Sequence, residues 1–217
     1  MKILNRNILK IIAVITMLID HIGAILFPNI LVLKIIGRLS FPIFAFFIAE
    51  GYYYTKSKKK YLALLIIFAI ITEPIYCYAF NVFRLNILFT FIFSIILIYL
   101  IENINKDKLL YTFYTILFFI FLLMLFLLGV IEYGIVGVIL PLIFYFFKDS
   151  NLKYFIAILS LCFLTMLSIN YQIFSLLSIL ILCFYNGNKG KYNLKYIFYI
   201  FYPAHILLLY IIKLLIF

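Results

Sequence analysis

One stretch near the start of the chain decides the fold class: residues 8–27 read ILKIIAVITMLIDHIGAILF. A helix that crosses the hydrocarbon core of a bilayer needs about 20 predominantly apolar residues, and this run has that length. Only Lys10, Asp20 and His21 interrupt it with ionisable side chains. Because no small-residue cleavage site follows, the run predicts a retained first transmembrane helix and not a removed signal peptide.

Apolar runs of similar length recur along the rest of the chain, separated by short stretches that contain Asn, Gly, Pro or Lys. Together with the first run they predict about nine helices and an all-α, polytopic transmembrane helix bundle. The runs are continuous and do not alternate as the strands of a membrane barrel would, so strands are not expected. We expect one integral membrane domain over residues 1–217. The further runs are 35–54, 60–80, 85–101, 110–128, 133–147, 152–168, 171–185 and 196–216.

The composition supports the same class. The chain has 217 residues, of which 69% are hydrophobic and 12% charged, with a mean hydropathy of +1.27. Soluble domains have about 45–50% apolar and about 25% charged residues, and disordered chains are less hydrophobic still. These figures exclude both classes. The 3 cysteines are far apart and lie inside apolar runs, so neither a disulfide nor a metal site is expected.

The net charge of +11 comes from cations between the apolar runs, which indicates membrane orientation and not nucleic-acid binding. With a cytoplasmic N-terminus and nine helices, Arg84 is the only cationic residue in the predicted outer loops. Three further cations, Lys34, Arg38 and Lys213, lie near the outer ends of helices. The positive-inside rule therefore predicts an N-in, C-out protein of the cytoplasmic (inner) membrane. The cations on the predicted cytoplasmic side are Lys2, Arg6, Lys10, Lys56, Lys58, Lys59, Lys60, Lys106, Lys108, Lys148, Lys153, Lys189, Lys191 and Lys195.

Polar side chains inside the predicted spans are the candidate site residues. An ionisable residue at the centre of a membrane helix costs about 2.5–3.5 kcal/mol on insertion scales, so it is a functional hypothesis by default. The alternative is that Asp20–Arg38 and Glu73–Arg84 are neutralising pairs that only hold helices together. The candidates are Asp20, His21, Arg38, Glu50, Glu73, Arg84, Asn86, Tyr202 and His205.

Helix geometry divides the roles of the first two candidates. Asp20 and His21 are adjacent, so on a helix they point about 100° apart and cannot form a face-to-face histidine–carboxylate pair with each other. We expect Asp20 to accept hydrogen bonds from Arg38, whose guanidinium suits a carboxylate. His21 is then free to face a cavity as a general base or nucleophile, and packing against a neighbouring helix is the alternative. His205 is also a candidate base, and the alternative is that it only fills a gap in the helix packing shaped by Pro203.

Glu50 lies near the predicted cytoplasmic end of the second span, before a group of tyrosines and lysines. That group has two interpretations. It is an interfacial aromatic belt with topogenic lysines, or its lysines bind a phosphate-rich ligand from the cytosol. The lysines concerned are Lys56, Lys58, Lys59 and Lys60.

Several of these residues lie in motifs that resemble the TraX family, polytopic bacterial membrane proteins whose named member N-acetylates conjugative pilin. The motifs are Asp-His-Ile-Gly at 20–23, Gly-Arg-x-x-Phe-Pro-x-Phe at 37–44, Ala-Glu-Gly-Tyr at 49–52 and Tyr-Pro-Ala-His at 202–205. The likeness is dense over residues 8–90, reduces to hydropathy between about 100 and 190, and returns at 202–205.

The resemblance implies a membrane acyltransferase that takes an acetyl group from cytosolic acetyl-CoA, without a metal. The acceptor would be an amine or hydroxyl of an exported protein or glycan at the outer face. His21 or His205, with Asp20, would be catalytic, and Arg38 would organise the site or stabilise the oxyanion. The implied acetyl-CoA site is Lys56, Lys58, Lys59 and Lys60, and the implied substrate-binding residues are Arg38, Glu50, Glu73, Arg84, Asn86 and Tyr202.

Two other functions fit the same residues. Intramembrane Asp, His and Arg also mark substrate or ion pathways, so a transporter or flippase is the main alternative. It would be favoured by internal repeats and by pairs of broken helices, and the sequence has no visible repeat. A non-catalytic membrane scaffold is the third possibility, against which the number of buried ionisable groups argues.

Overall fold

A computed structural model describes residues 3–167, 170–192 and 195–216, and within these ranges the chain is all-helical. Ten α-helices and one 3₁₀ helix follow one another, and two isolated backbone bridges, Leu4 with Tyr185 and Leu85 with Ile131, join loops. The α-helices are α1 Arg6–Ile25, α2 Leu31–Gly37, α3 Ser40–Tyr54, α4 Lys58–Phe80, α5 Ile87–Glu102, α6 Lys108–Leu127, α7 Gly134–Phe146, α8 Leu152–Leu167, α9 Leu177–Cys183 and α10 Lys195–Ile216; the 3₁₀ helix is Asn170–Leu176.

The predicted polytopic bundle is confirmed. Five helical passes are long and apolar enough to cross a membrane, and four shorter apolar passes lie between them in the described part of the chain. The protein is therefore a multi-pass membrane protein. Its N-in, C-out orientation stays a prediction. The long passes are Arg6–Ile25, Leu31–Tyr54, Lys58–Phe80, Lys108–Leu127 and Phe198–Ile216.

Two passes are interrupted where the sequence predicted continuous helices. The second pass is split at Arg38 and Leu39, between α2 and α3. The Arg38 amide donates to the carbonyls of both Lys34 and Ile35, and the Leu39 amide donates to the Ile36 carbonyl. The i→i−3 hydrogen bonds among these tighten the helix at this point. The eighth pass begins as the 3₁₀ helix before it becomes α9.

Two glycines let α1 and α2 approach closely. A Cβ on Gly37 would lie 2.2 Å from the Asp20 Cβ, and a Cβ on Gly23 would lie 2.6 Å from the Leu33 Cβ. Neither position has room for a side chain. The glycines of the Asp-His-Ile-Gly and Gly-Arg motifs therefore set the spacing that brings α1 and α2 together.

The core lies where α1, α3, α4, α5, α7 and α10 meet. The α10 helix packs on α4 and on α1, which places the last motif of the chain beside the first. By contrast, α6 has only Leu122 buried, so its remaining apolar surface faces outward, as expected of a helix that contacts lipid. Fully buried core side chains include Leu9, Ile43, Leu65, Ile95, Leu140 and Ile206.

Candidate functional site

A cavity of about 950 Å³ lies inside the bundle, and it is where most of the predicted site residues converge. Its middle is apolar and aromatic, lined by Phe41, Phe44, Phe47 and Phe91. Both of its ends are polar. We call the end near the N-terminus of α1 the mouth and the end near the C-terminal half of α1 the far end.

Two histidines meet at the far end. His21 Nδ1 lies 2.7 Å from His205 Nε2, although the two residues are 184 positions apart in the chain. Their rings are nearly parallel, with centroids 4.9 Å apart, and Phe80 packs edge-on against the His21 ring. His21 lines the cavity, whereas His205 lies behind it and is only 4% exposed.

The hydrogen bonds of His205 determine which ring nitrogens carry protons. His205 Nδ1 lies 2.6 Å from the Phe201 carbonyl oxygen, which can only accept, so Nδ1 carries the proton. In a neutral imidazole, His205 Nε2 is then an acceptor, and His21 Nδ1 must donate to it. The Nε2 of His21 is left with a lone pair. The pair of histidines therefore presents one free basic nitrogen, on the residue that lines the cavity.

The predicted contact between Asp20 and Arg38 is confirmed. Arg38 Nη2 donates to Asp20 Oδ1 at 2.6 Å. The same guanidinium donates to Gln172 Oε1 at 3.3 Å, to the Tyr133 hydroxyl at 3.5 Å and to the Lys34 carbonyl at 3.3 Å. All three guanidinium nitrogens thus have acceptors, which take up four of the five N–H groups of Arg38 among the described residues. Its evident effect is to hold Asp20, which lines the cavity.

The loop between α6 and α7 adds two residues to the far end. Glu132 and Tyr133 both line the cavity, and the Tyr76 hydroxyl lies beside the Glu132 carboxylate. Glu132 lies outside the spanning helices, and burial raises the pKa of its carboxyl to about 7 against the opposing charge of Arg38. The sequence analysis assigned no role to Glu132, and the structure places it in the lining of the cavity.

The mouth of the cavity is strongly cationic. Glu50 is the carboxylate there. It forms an ion pair with Arg6 at 3.0 Å and accepts a hydrogen bond from the Tyr185 hydroxyl at 2.7 Å. The other cations of the mouth outnumber it, which makes the mouth attractive to an anion. The lining cations are Arg6, Lys10, Lys56, Lys60, Lys189 and Lys191.

Comparison with known proteins assigns the family. The family described as "TraX protein" matches residues 5–213, nearly the whole chain. The chain belongs to the TraX family. This confirms the resemblance found in the sequence motifs.

Two relatives are similar to this chain over different lengths. It is similar to the "Probable fimbrial assembly protein FimC, serogroup H1" of Dichelobacter nodosus, with 28% identity over 95% of this chain and 97% of that protein. It is also similar to "Uncharacterized protein RP591" of Rickettsia prowazekii (strain Madrid E), with 40% identity over 72 residues, or 33% of this chain and 28% of that protein. No solved structure gives a significant match.

The TraX-like motifs come together in space. Asp20, His21, Arg38 and His205, from three separate motifs, meet at the far end of the cavity. Tyr202 is buried beside the two histidine rings, with its ring centroid 6.3 Å from that of His21 and 5.9 Å from that of His205. Glu50, Lys56 and Lys60 line the mouth instead.

Arg38 and His205 lie behind lining residues with which they form hydrogen bonds, and five further predicted site residues do not line the cavity either. Asn86 is fully buried and donates through Nδ2 to Glu73 at 2.6 Å, and the ion pair of Glu73 with Arg84, which was one alternative, does not occur among the described residues. Lys58 donates to Glu102 at 2.6 Å, on another side of the bundle. A substrate or cofactor role for these side chains stays a prediction. The five are Lys58, Lys59, Glu73, Arg84 and Asn86.

Sequence reasoning missed several residues that line the cavity or contact its surroundings. Glu132 was the one carboxylate between two glycines in an otherwise apolar segment, a signal that we attributed to a loop. Lys10, Lys189 and Lys191 were taken only as orientation signals, because their distances from the other cations depend on how α1, α10 and the loop before α10 pack. Gln172, which contacts Arg38, had no sequence signal.

Proposed function

We propose that this protein is a membrane acyltransferase. It transfers an acetyl group from cytosolic acetyl-CoA to an amine or hydroxyl at the outer face of the cytoplasmic membrane. The observation that carries the proposal is a single cavity with a cationic mouth and a histidine with a free Nε2 at its far end. Such a cavity can hold an anionic donor and bring its reactive group to a base.

The mouth of the cavity suits an acyl donor that carries phosphate groups. Lysine ammonium groups bind phosphates as point charges, and Lys56, Lys60, Lys189 and Lys191 surround the mouth. The apolar middle of the cavity suits an extended, uncharged arm. At 1.5 Å per residue, α1 rises about 16 Å between Lys10 and His21, a distance that the arm would need to span. The thioester would then lie beside His21.

The acceptor is proposed from the family and from a relative. The resemblance to a family with a pilin N-acetylase supports a pilin-like exported protein, and the name of the Dichelobacter relative refers to fimbrial assembly. An envelope glycan with a free hydroxyl is the second acceptor class. Both would approach from the outer face.

The chemistry rests on His21. Its Nε2 removes a proton from the attacking amine or hydroxyl as the new bond forms to the thioester carbonyl carbon, and the thiolate leaves. In the alternative role, Nε2 itself attacks and carries the acetyl group as an acyl-imidazole. An acyl carrier would give a burst of thiol equal to the enzyme present when acceptor is absent, and a general base would give none.

Thiol release from acetyl-CoA tests the proposal. The purified protein in detergent, given acetyl-CoA and acceptor, should release free thiol, and His21→Gln should release it 10²–10⁴-fold more slowly. Lys56→Gln and Lys60→Gln should raise the KM for acetyl-CoA with little change in kcat. Lys106→Gln, an exposed lysine between α5 and α6, is the matched control. Wild-type protein that releases no thiol would contradict an acyltransferase.

A transporter or flippase is the second candidate, and one observation favours it. Broken helices around a central site are common in transporters, and here the breaks at Arg38 and in the 3₁₀ helix touch through the Arg38–Gln172 hydrogen bond. A transporter would move labelled substrate across vesicles without cleaving acetyl-CoA. The thiol assay therefore separates the two functions.

A further inference from the structure

The α6–α7 loop is held inside the bundle by specific contacts. The Leu85 amide donates to the Val130 carbonyl at 2.9 Å, and the Thr90 hydroxyl donates to the Glu132 carbonyl at 3.1 Å. Both donors lie at the start of α5 or just before it. These bonds fix the backbone of the loop beside the cavity. The position of Glu132 at the far end is therefore set by the backbone of the loop and does not depend on its side-chain rotamer alone.

The residue after Glu132 has a strained backbone. Tyr133 has φ +57°, in the left-handed region that non-glycine residues rarely adopt, and Gly134 follows with φ +56°. Such a conformation is strained and persists only where the surroundings impose it, commonly at functional sites. Here the Tyr133 ring stacks on Phe41 with centroids 3.9 Å apart. This ring contact and the hydrogen bonds of the loop hold the strained backbone next to Glu132.

The charges of the far end set Glu132 apart from Asp20. Asp20 is neutralised by its ion pair with Arg38, whereas Glu132 forms no ion pair within the described ranges. The far end therefore offers one carboxylate without a cation of its own, and the mouth offers an excess of cations. A cavity with opposite charges at its two ends suits an anionic donor and a cationic acceptor.

We infer that Glu132 binds the ammonium group of the acceptor and takes its first proton. This inference rests on the proposed acyl transfer and names a second catalytic residue for it. The ammonium gives one proton to the Glu132 carboxylate and becomes a nucleophilic amine. Its nitrogen then attacks the thioester carbonyl carbon, and His21 Nε2 takes the second proton. The C–S bond breaks, and the thiolate leaves with the proton from His21 as a free thiol. Glu132 returns its proton to solvent.

Two small probes of the same shape test ammonium recognition without requiring turnover. Phenethylamine is a cation at neutral pH and 2-phenylethanol is not, so binding of each to the full-length protein in detergent is measured by thermal stabilisation. Phenethylamine should bind Glu132→Gln about 10- to 100-fold more weakly than wild type, as expected for loss of a charged hydrogen bond. The alcohol should bind both proteins equally. Glu132→Asp keeps the charge and should restore part of the amine affinity.

A matched control removes a carboxylate elsewhere. Asp149→Asn, on an exposed side chain between α7 and α8, should leave amine binding at the wild-type value. Equal amine binding by wild type and Glu132→Gln would overturn the inference. Loss of both probes in Glu132→Gln would also overturn it, because a structural role would explain that result.

Acetyl transfer to phenethylamine provides the catalytic readout. The rate deficit of Glu132→Gln should shrink as the pH rises towards about 10, where an alkyl ammonium loses its own proton. A deficit that does not change with pH would overturn the proton-accepting role. If wild type bound the amine through Glu132 but never released thiol from acetyl-CoA, the proposed function would fail while the ammonium site remained.

Discussion

His21 and His205 contribute differently at the scale of single residues. His21 lines the cavity with a free Nε2, and His205 fixes its tautomer by accepting from Nδ1. Removal of a general base typically costs 10²–10⁴-fold in rate, so His21→Gln should lose most acetyl transfer at normal membrane levels. His205→Gln keeps an acceptor oxygen for His21, whereas His205→Leu does not, so the leucine variant should be the slower of the two.

The assay for both histidines is the initial rate of acetyl transfer, divided by the amount of folded protein. Wild-type turnover in His21→Gln together with an inactive His205→Gln would show that His205 on α10, and not His21, is the general base. Equal rates in His205→Gln and His205→Leu would contradict the tautomer argument, because only one of these side chains can accept a hydrogen bond.

Asp20 and Arg38 form a second residue-scale unit. Their 2.6 Å contact is largely shielded from solvent, and removing one partner of a buried ion pair costs about 3–5 kcal/mol because the other charge is stranded. Asp20→Asn and Arg38→Gln should each lower thermal stability or activity, and the double variant should be no worse than the worse single one. Additive losses in this double-mutant cycle would show that the two side chains do not interact.

At the scale of helices, the spacing of α1 and α2 depends on Gly37. A Cβ there would overlap the Asp20 side chain, so Gly37→Ala must push the helices apart or displace the carboxylate. Overpacking of this kind typically costs 1–3 kcal/mol, and here it should also reduce acetyl transfer by disturbing the Asp20–Arg38 pair. The measurement is thermal unfolding in detergent with the rate assay. Ala63→Leu, on an exposed face of α4, adds more volume and should change neither; an unchanged Gly37→Ala would refute the close approach.

At the scale of the whole molecule, the cation distribution predicts how the bundle lies in the membrane. Reporter fusions at Lys58, Asp107 and Asn188 should show a cytoplasmic location, and fusions near Arg84 and Gly129 an outer one. This orientation would place the cationic mouth towards cytosolic acetyl-CoA and the far end towards an exported acceptor. A cytoplasmic signal at Gly129 would be incompatible with the nine-pass topology.

The sequence alone determined the membrane class, the helical passes and the four motif residues Asp20, His21, Arg38 and His205. Hydropathy and helix length suffice for the passes because every backbone polar group in a bilayer must be paired within its own segment. The Asp20–Arg38 contact also followed, since intramembrane charges need partners and one carboxylate with one guanidinium is the simplest pairing.

Only the tertiary structure decided which residues share the cavity. The His21–His205 hydrogen bond depends on α10 packing beside α1, and no local pattern encodes a contact between residues 184 positions apart. The inward position of Glu132 depends on contacts of its loop with the start of α5 and with Phe41. Hydropathy reports how a residue partitions between water and lipid, but not which helices become neighbours, because in a bilayer that choice depends on side-chain packing and interhelical hydrogen bonds.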